Sequence, residues 1–158
     1  MAVTTWTLAL DDPGAVRPPA RPAPAGFAVE ARRDPALNAE MYRRVGADHA
    51  WTDRLSWPPE RWEAWAERVE TWVAVEGGAV AGYVELDPGP DEVEIAIFGL
   101  LPEATGRGLG GHLLTAALHR CFVLAPRAWV HTCSLDGPHA LANYRARGLR
   151  VIREDVSP

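Results

Sequence analysis

The sequence contains no lysine. All 16 basic residues among its 158 are arginine, set against 21 acidic ones for a net charge of −5. Arginine without lysine, beside heavy use of alanine and proline, reads as composition bias rather than chemistry. The acidic balance argues against the basic footprint that nucleic-acid binding needs. Cysteine is also scarce: Cys121 and Cys133 are too few for a metal cluster, and nothing points to an oxidising compartment. Both read as buried small hydrophobes, and no metal is expected. No apolar run approaches the roughly 20 residues that span a bilayer. The N-terminus lacks the basic-then-apolar plan of a secretory signal. These absences leave one cytoplasmic domain with no membrane or nucleic-acid partner. A chain of this length buries roughly 68–70% of the surface it exposes when unfolded, so it needs no disulfide or metal to hold a core.

What is present divides into an extension and a main domain. Val3 to Leu10 favours an extended strand, with Val3, Thr4, Thr5 and Trp6 as strand formers. Asp11 to Gly26 is rich in proline and alanine without an apolar period, which reads as a surface connector. Residues 1–26 are therefore an N-terminal extension and 27–158 the main domain. Phe27 to Ala31 alternates like a strand. Asp34 and Pro35 supply the cap and first turn of a helix in which Leu37, Met41 and Val45 recur, and Gly46 ends it. Ser56-Trp57-Pro58-Pro59 opens a second helix, whose Trp62, Trp65, Ala66 and Val69 form one core-facing stripe.

Trp72–Glu76 and Ala79–Leu86 are β-rich runs around Gly77-Gly78, a hairpin signal, and Val93–Leu101 is the next strand. A helix through Leu113, Ala117 and Cys121 follows, then a strand over Arg127–Cys133. Asp136-Gly137-Pro138 opens a last helix that stops at Gly148, and Leu149–Arg153 is a short final strand. Three consecutive strands followed by helix–strand alternation predict an α/β (α+β) mixed sheet covered by helices.

Gly106-Arg107-Gly108-Leu109-Gly110-Gly111 lies between a strand and a helix. Small residues let an anion approach the backbone, and the free N–H groups of the first helical turn point at it. The positive end of the helix adds to the attraction, so a phosphate or pyrophosphate is the natural guest. Gly106, Gly108 and Gly111 also satisfy G-x-G-x-x-G. A dinucleotide site, however, needs that motif in the first βα turn with an acidic residue about 20 positions on. Here it follows a meander and the first acidic residue after it is Asp136, so the context fails.

Thr105 to Gly110, preceded by Leu101-Pro102-Glu103, resembles the acyl-CoA signature Q/R-x-x-G-x-G/A of the GNAT superfamily of acyl-CoA N-acyltransferases. Thr105 stands where that pattern has Gln or Arg. The order of elements from about Phe27 to Arg153 matches as well. Ala140 to Leu149, with Tyr144 four residues before Gly148, looks like the family's A-x-x-x-Y-x-x-x-G-F segment, with Leu149 in place of Phe. The resemblance implies a central, mostly antiparallel sheet, splayed between the fourth and fifth core strands and flanked by about four helices.

It also implies acetyl-CoA as cosubstrate. The pyrophosphate would lie on Thr105, Gly106, Arg107, Gly108, Leu109, Gly110 and Gly111. The pantetheine arm would pair with the backbone of Phe98, Gly99 and Leu100, where one N–H polarises the thioester carbonyl. Gly99 independently marks a bulge or close approach inside its strand. Tyr144 looks like the general acid for the leaving thiolate. Direct transfer needs a neutral amine and hence a base. Glu94 is the candidate: it sits in an apolar strand where a buried carboxylate is costly, and desolvation there raises its pKa.

His131, which shares a face with Trp129 and Cys133, is the other candidate base and would border the acceptor. Asp136 is expected to cap the last helix. The segment carrying His49, Trp51, Asp53 and Arg54 matches the family's acceptor wall. Asp53 would favour a cationic amine and Trp51 offers a stacking surface, although loop packing around an Asp53–Arg54 turn reads equally well. The implied function is an N-acetyltransferase acting on a small-molecule primary amine. A non-catalytic acyl-CoA sensor and an O-acyltransferase use the same residues. The chain ends five residues after Arg153, leaving little for the family's last strand. Val3–Leu10 is expected to fill that edge, within the chain or across a homodimer.

Overall fold

Gly77 and Gly78 adopt φ of +59° and +85°, the left-handed pair that closes a two-residue hairpin. They join β3 (Glu70–Glu76) to β4 (Ala79–Pro88). Upstream lie β1 (Val3–Leu10), β2 (Phe27–Arg32), α1 (Pro35–Gly46) and α2 (Pro59–Arg68). Downstream come β5 (Val93–Leu100), α3 (Leu109–Leu124), β6 (Ala128–Cys133), α4 (Pro138–Ala146) and β7 (Arg150–Ser157). This computed structural model describes residues 2–158; Met1, the first residue of the extension, lies outside them. Among the described residues no helix is long and apolar enough to cross a membrane.

The seven strands form one sheet in the order β2-β3-β4-β5-β6-β1-β7. Every neighbouring pair is antiparallel except β5 and β6, which are parallel. Helix α1 begins as the sequence predicts, with the Asp34 carboxylate accepting from the Ala36 N–H and Pro35 in the first turn. Successive strand residues point to opposite faces. A side chain at Gly99 would meet Val45 of α1, whereas the Leu100 side chain reaches Gly110 of α3, so these two helices cover opposite faces. Leu109, Leu113, Leu114, Leu118 and Cys121 of α3 are fully buried.

The mixed sheet and four helices match the expected architecture. Pairing between β5 and β6 is confined to Val93 opposite Ala128 and Glu94 opposite Trp129. Beyond these the strands part, which is the splay between the fourth and fifth core strands.

Three expectations are corrected. Val3–Leu10 lies within its own chain's sheet but one place in from the edge, with Thr7 opposite His131 on one side and Arg153 on the other. The reason is burial: Leu8, Ala9 and Leu10 are buried, whereas all eight residues of β7 are exposed. A charged strand tolerates the edge and protects it from unwanted pairing. That final strand also runs to Ser157, because Val3 to Thr7 supply it with partners. Finally, Cys133 is only half-buried, while Cys121 is buried, its thiol pushed up to about 12 by desolvation.

Candidate active site

The side of β5 that faces β6 has no ladder partner beyond Glu94. A row of backbone N–H and C=O groups therefore lines the gap between the two strands. The pairing of β5 with β4 shifts between Glu85 and Leu86, which face Ile97 and Ile95 and leave Ala96 as an extra residue. Such a bulge re-aims the side chains that follow it. Glu94, opposite Asp87, and Ile97, opposite Glu85, thereby share the α1 face with Gly99. Phe98 faces the other way, its ring 5.9 Å from that of Tyr144. The bulge thus precedes Gly99, which instead marks a close approach: a Cβ there would lie 2.5 Å from Val45 Cγ1.

The glycine loop lies just beyond the end of β5. Gly106 and Gly108 have φ of +82° and +79° with open space around them, so the backbone angle, not crowding, demands glycine. Gly108 is the N-cap of α3, and the helix's first turn carries no acidic residue. Its first-turn N–H groups have no side-chain cap. Leu109 is fully buried and offers only its backbone. The Thr105 hydroxyl donates to the Pro102 carbonyl at 2.8 Å. Arg107 is held by Glu76 at 2.6 Å on the surface.

Glu94 and His131, rival bases in the sequence, are brought together: Oε2 of the first lies 3.8 Å from Nδ1 of the second. Burial pushes the Glu94 carboxyl up, an effect that His131 opposes and Asp87 reinforces. Tyr144 is buried, and desolvation, then the nearby Asp136 carboxylate, raises its phenol well above the usual range. Asp136 does not cap α4, whose N-cap is Gly137. Its Oδ2 accepts from Thr132 Oγ1 at 2.6 Å and from the Cys133 N–H at 3.1 Å. Its Oδ1 accepts from Trp51 Nε1 at 3.3 Å. Asp136 thereby ties the segment after α1 to the end of β6 across the gap.

The sequence matches the Acetyltransferase (GNAT) family over residues 36–149. This chain belongs to that family. No curated protein sequence matches it. Among solved structures it is similar to a GCN5-related N-acetyltransferase from Kribbella flavida, with a TM-score of 0.70 and 20% identity, covering 97% of this chain and 56% of that one. It is also similar to the IAA acetyltransferase from Bacillus cereus, with a TM-score of 0.61 and 22% identity over 80% of this chain and 79% of that one. A GCN5-related N-acetyltransferase from Sphaerobacter thermophilus gives 0.65 and 18%, with 97% and 50% covered. At these identities the likeness shows the fold. The chain spans 50–63% of the length of five structures that cover it almost whole.

The α1 side of the sheet in this GNAT chain holds a cluster that sequence reasoning passed over. Glu85 is fully buried on the α1 face of β4. Its Oε1 accepts from Arg54 Nη1 and Trp65 Nε1, both at 2.8 Å, and its Oε2 from Asn38 Nδ2 at 2.7 Å. The Arg54 guanidinium carbon lies 4.6, 4.9 and 5.5 Å from the ring centres of Trp65, Trp57 and Tyr42. The backbone N–H of Arg54 donates to the Tyr42 hydroxyl at 3.2 Å. Asp53, one residue earlier, is exposed. The turn is therefore held by Arg54. The available signal was a lone carboxylate in the apolar run around Val84 and Leu86, the same signal that singled out Glu94.

Proposed function

We propose that this GNAT protein is an N-acetyltransferase that moves an acetyl group from acetyl-CoA to a small-molecule primary amine by direct transfer. One observation carries the reading: the unpaired edge of β5 leads directly into a glycine loop that opens a helix. An extended pantetheine arm can complete the ladder at Phe98, Gly99 and Leu100. A pyrophosphate suits the left-handed loop at Gly106 and Gly108 and the first-turn N–H groups of α3. Acetyl-CoA supplies the activated acetyl thioester.

The chain's own residues manage the protons. Glu94, desolvated and beside His131, is a stronger base than an exposed carboxylate and takes a proton from the incoming ammonium. The neutral nitrogen then bonds to the thioester carbonyl carbon, and the carbon–sulfur bond breaks. The phenol of Tyr144, kept protonated by burial, gives its proton to the departing thiolate, and the proton that the new amide nitrogen sheds restores the phenol. Trp51 and His131 border the acceptor, with Asp53 at the outer turn. Glu94 and Asp136 favour a cationic amine there.

A thiol-release assay with acetyl-CoA against simple amines, amino acids, polyamines and aminoglycosides tests the reading. Release should depend on one class of amine. Tyr144→Phe should lower turnover about a hundredfold while leaving acetyl-CoA affinity near that of the unaltered protein. Tight CoA binding without release to any acceptor would replace the enzyme with a CoA-binding sensor.

A further inference from the structure

Arg147 follows α4 and reaches the N-terminal end of α3. Its Nη1 occupies the place where a side chain at Gly111 would stand, with Pro19 Cγ only 2.9 Å from that same place. Gly111 is the third residue of α3. The Cα–Cβ bond of a helical residue tilts toward the N-terminus. A guanidinium there stands beside the unpaired N–H groups of the first turn.

Two positive features are thereby placed side by side, the cation and the positive helix end. Other arginines of this chain meet carboxylates: Arg54, Arg68, Arg107 and Arg120 each do so at 2.6–2.8 Å. Arg147 has no such partner among the described residues, and its Nε is buried without a hydrogen bond. A partly desolvated cation next to a positive helix end is unfavourable unless an anion joins them.

We propose that Arg147 is a phosphate ligand of the CoA site and that the N-terminal connector holds it there. This rests on the acetyl-CoA reading above. The connector grips both sides of the arginine. The Arg17 N–H donates to the Arg147 carbonyl at 2.9 Å. The Ala15 carbonyl oxygen fills the place of a side chain at Gly148, whose φ is +111°. Residues 13–19 therefore position a cation that lies more than a hundred residues away in sequence, and they also form a wall beside the phosphate loop.

The test uses Arg147→Met, which keeps the aliphatic stem and removes the charge, with Arg147→Lys as a partial restoration. Calorimetric titration with CoA should show Kd raised about tenfold or more for the methionine variant, the loss expected for one charge-assisted hydrogen bond. The lysine variant should fall between. With S-acetylpantetheine, a donor that has no phosphate, KM should be unchanged in both variants. An unchanged Kd for CoA, or an equal loss with both donors, would overturn the proposal while leaving the acetyl-CoA reading intact. Failure of the unaltered protein to bind CoA would overturn both.

Discussion

The two halves of the sheet are built by different rules. On one side of the splay, β2 to β5 are laid down in nearly sequential order, and β3, β4 and β5 follow one another through short turns. On the other side, β1 comes from the beginning of the chain and its two neighbours, β6 and β7, from near its end. The first half is closed by local signals such as the Gly77-Gly78 turn. The second depends on pairing Thr5 with Cys133 and Thr4 with Val156, across almost the whole chain. Only two residue pairs of parallel ladder join the halves. The candidate site lies where that joint ends, because a sheet with a partly unzipped seam presents backbone groups that a closed one would consume.

The largest effect should come from deleting residues 2–12. β7 loses its ladder partner and β6 keeps only its two pairs with β5, so the half containing the His131 and Asp136 contacts should lose its cooperative structure. Hydrogen exchange should show protection retained across β3 and β4 but lost across β6. An unchanged thermal midpoint would mean that the two halves do not differ in this way.

Within the sequential half, Glu85→Ala leaves the half-buried Arg54 against aromatic rings without its fully buried carboxylate. That change should destabilise the fold by about 3 kcal/mol in urea titration. A loss near zero would show that the aromatic rings alone hold the guanidinium. Gly99→Ala should have a smaller effect, about 1–3 kcal/mol, because the new methyl group meets Val45 Cγ1 at 2.5 Å. The same variant should displace α1 and Trp51 from β5 and lower turnover.

The smallest effect concerns the joint itself. Burial raises the pKa of Glu94 above its ordinary value of 4.5. The folded chain then holds that proton more tightly than the unfolded one. The resulting stability is present below the unfolded value and is lost as pH rises through the folded value. Glu94→Gln should therefore match the unaltered protein at acid pH and gain on it as pH rises. Thermal midpoints measured from acid to neutral pH should diverge; parallel curves would mean that burial does not act on this carboxylate. The pH–rate profile should also lose its acid limb in this variant.

Much of the site was legible because its signals are local. Gly106 and Gly108 were readable since positive φ selects glycine, and Glu94 since a carboxylate stands out in an apolar strand. The same signal marks Glu85, a lone carboxylate between Val84 and Leu86. Asp136 was readable as a cap but not as the acceptor of Trp51 Nε1, a bond across 85 residues. Arg147 carried no signal at all, because its meaning comes from the Gly111 and Pro19 positions that surround it.

The sequence by itself determined where most helices and strands lie, because caps, turns and periodicity act within a few residues of the chain; the end of β7 was set instead by its pairing with β1. Asp34-Pro35, Gly77-Gly78 and Gly106 to Gly111 each specify a local backbone path. The tertiary structure decided which strand lies beside which. It placed β1 inside the sheet, where Leu8, Ala9 and Leu10 are buried, and left the charge-rich β7 exposed at the edge. It brought Glu94 to His131, Arg54 to Glu85 and Arg147 to the head of α3. Those meetings depend on register and on which edge is left unpaired, and neither is encoded in any short stretch of residues.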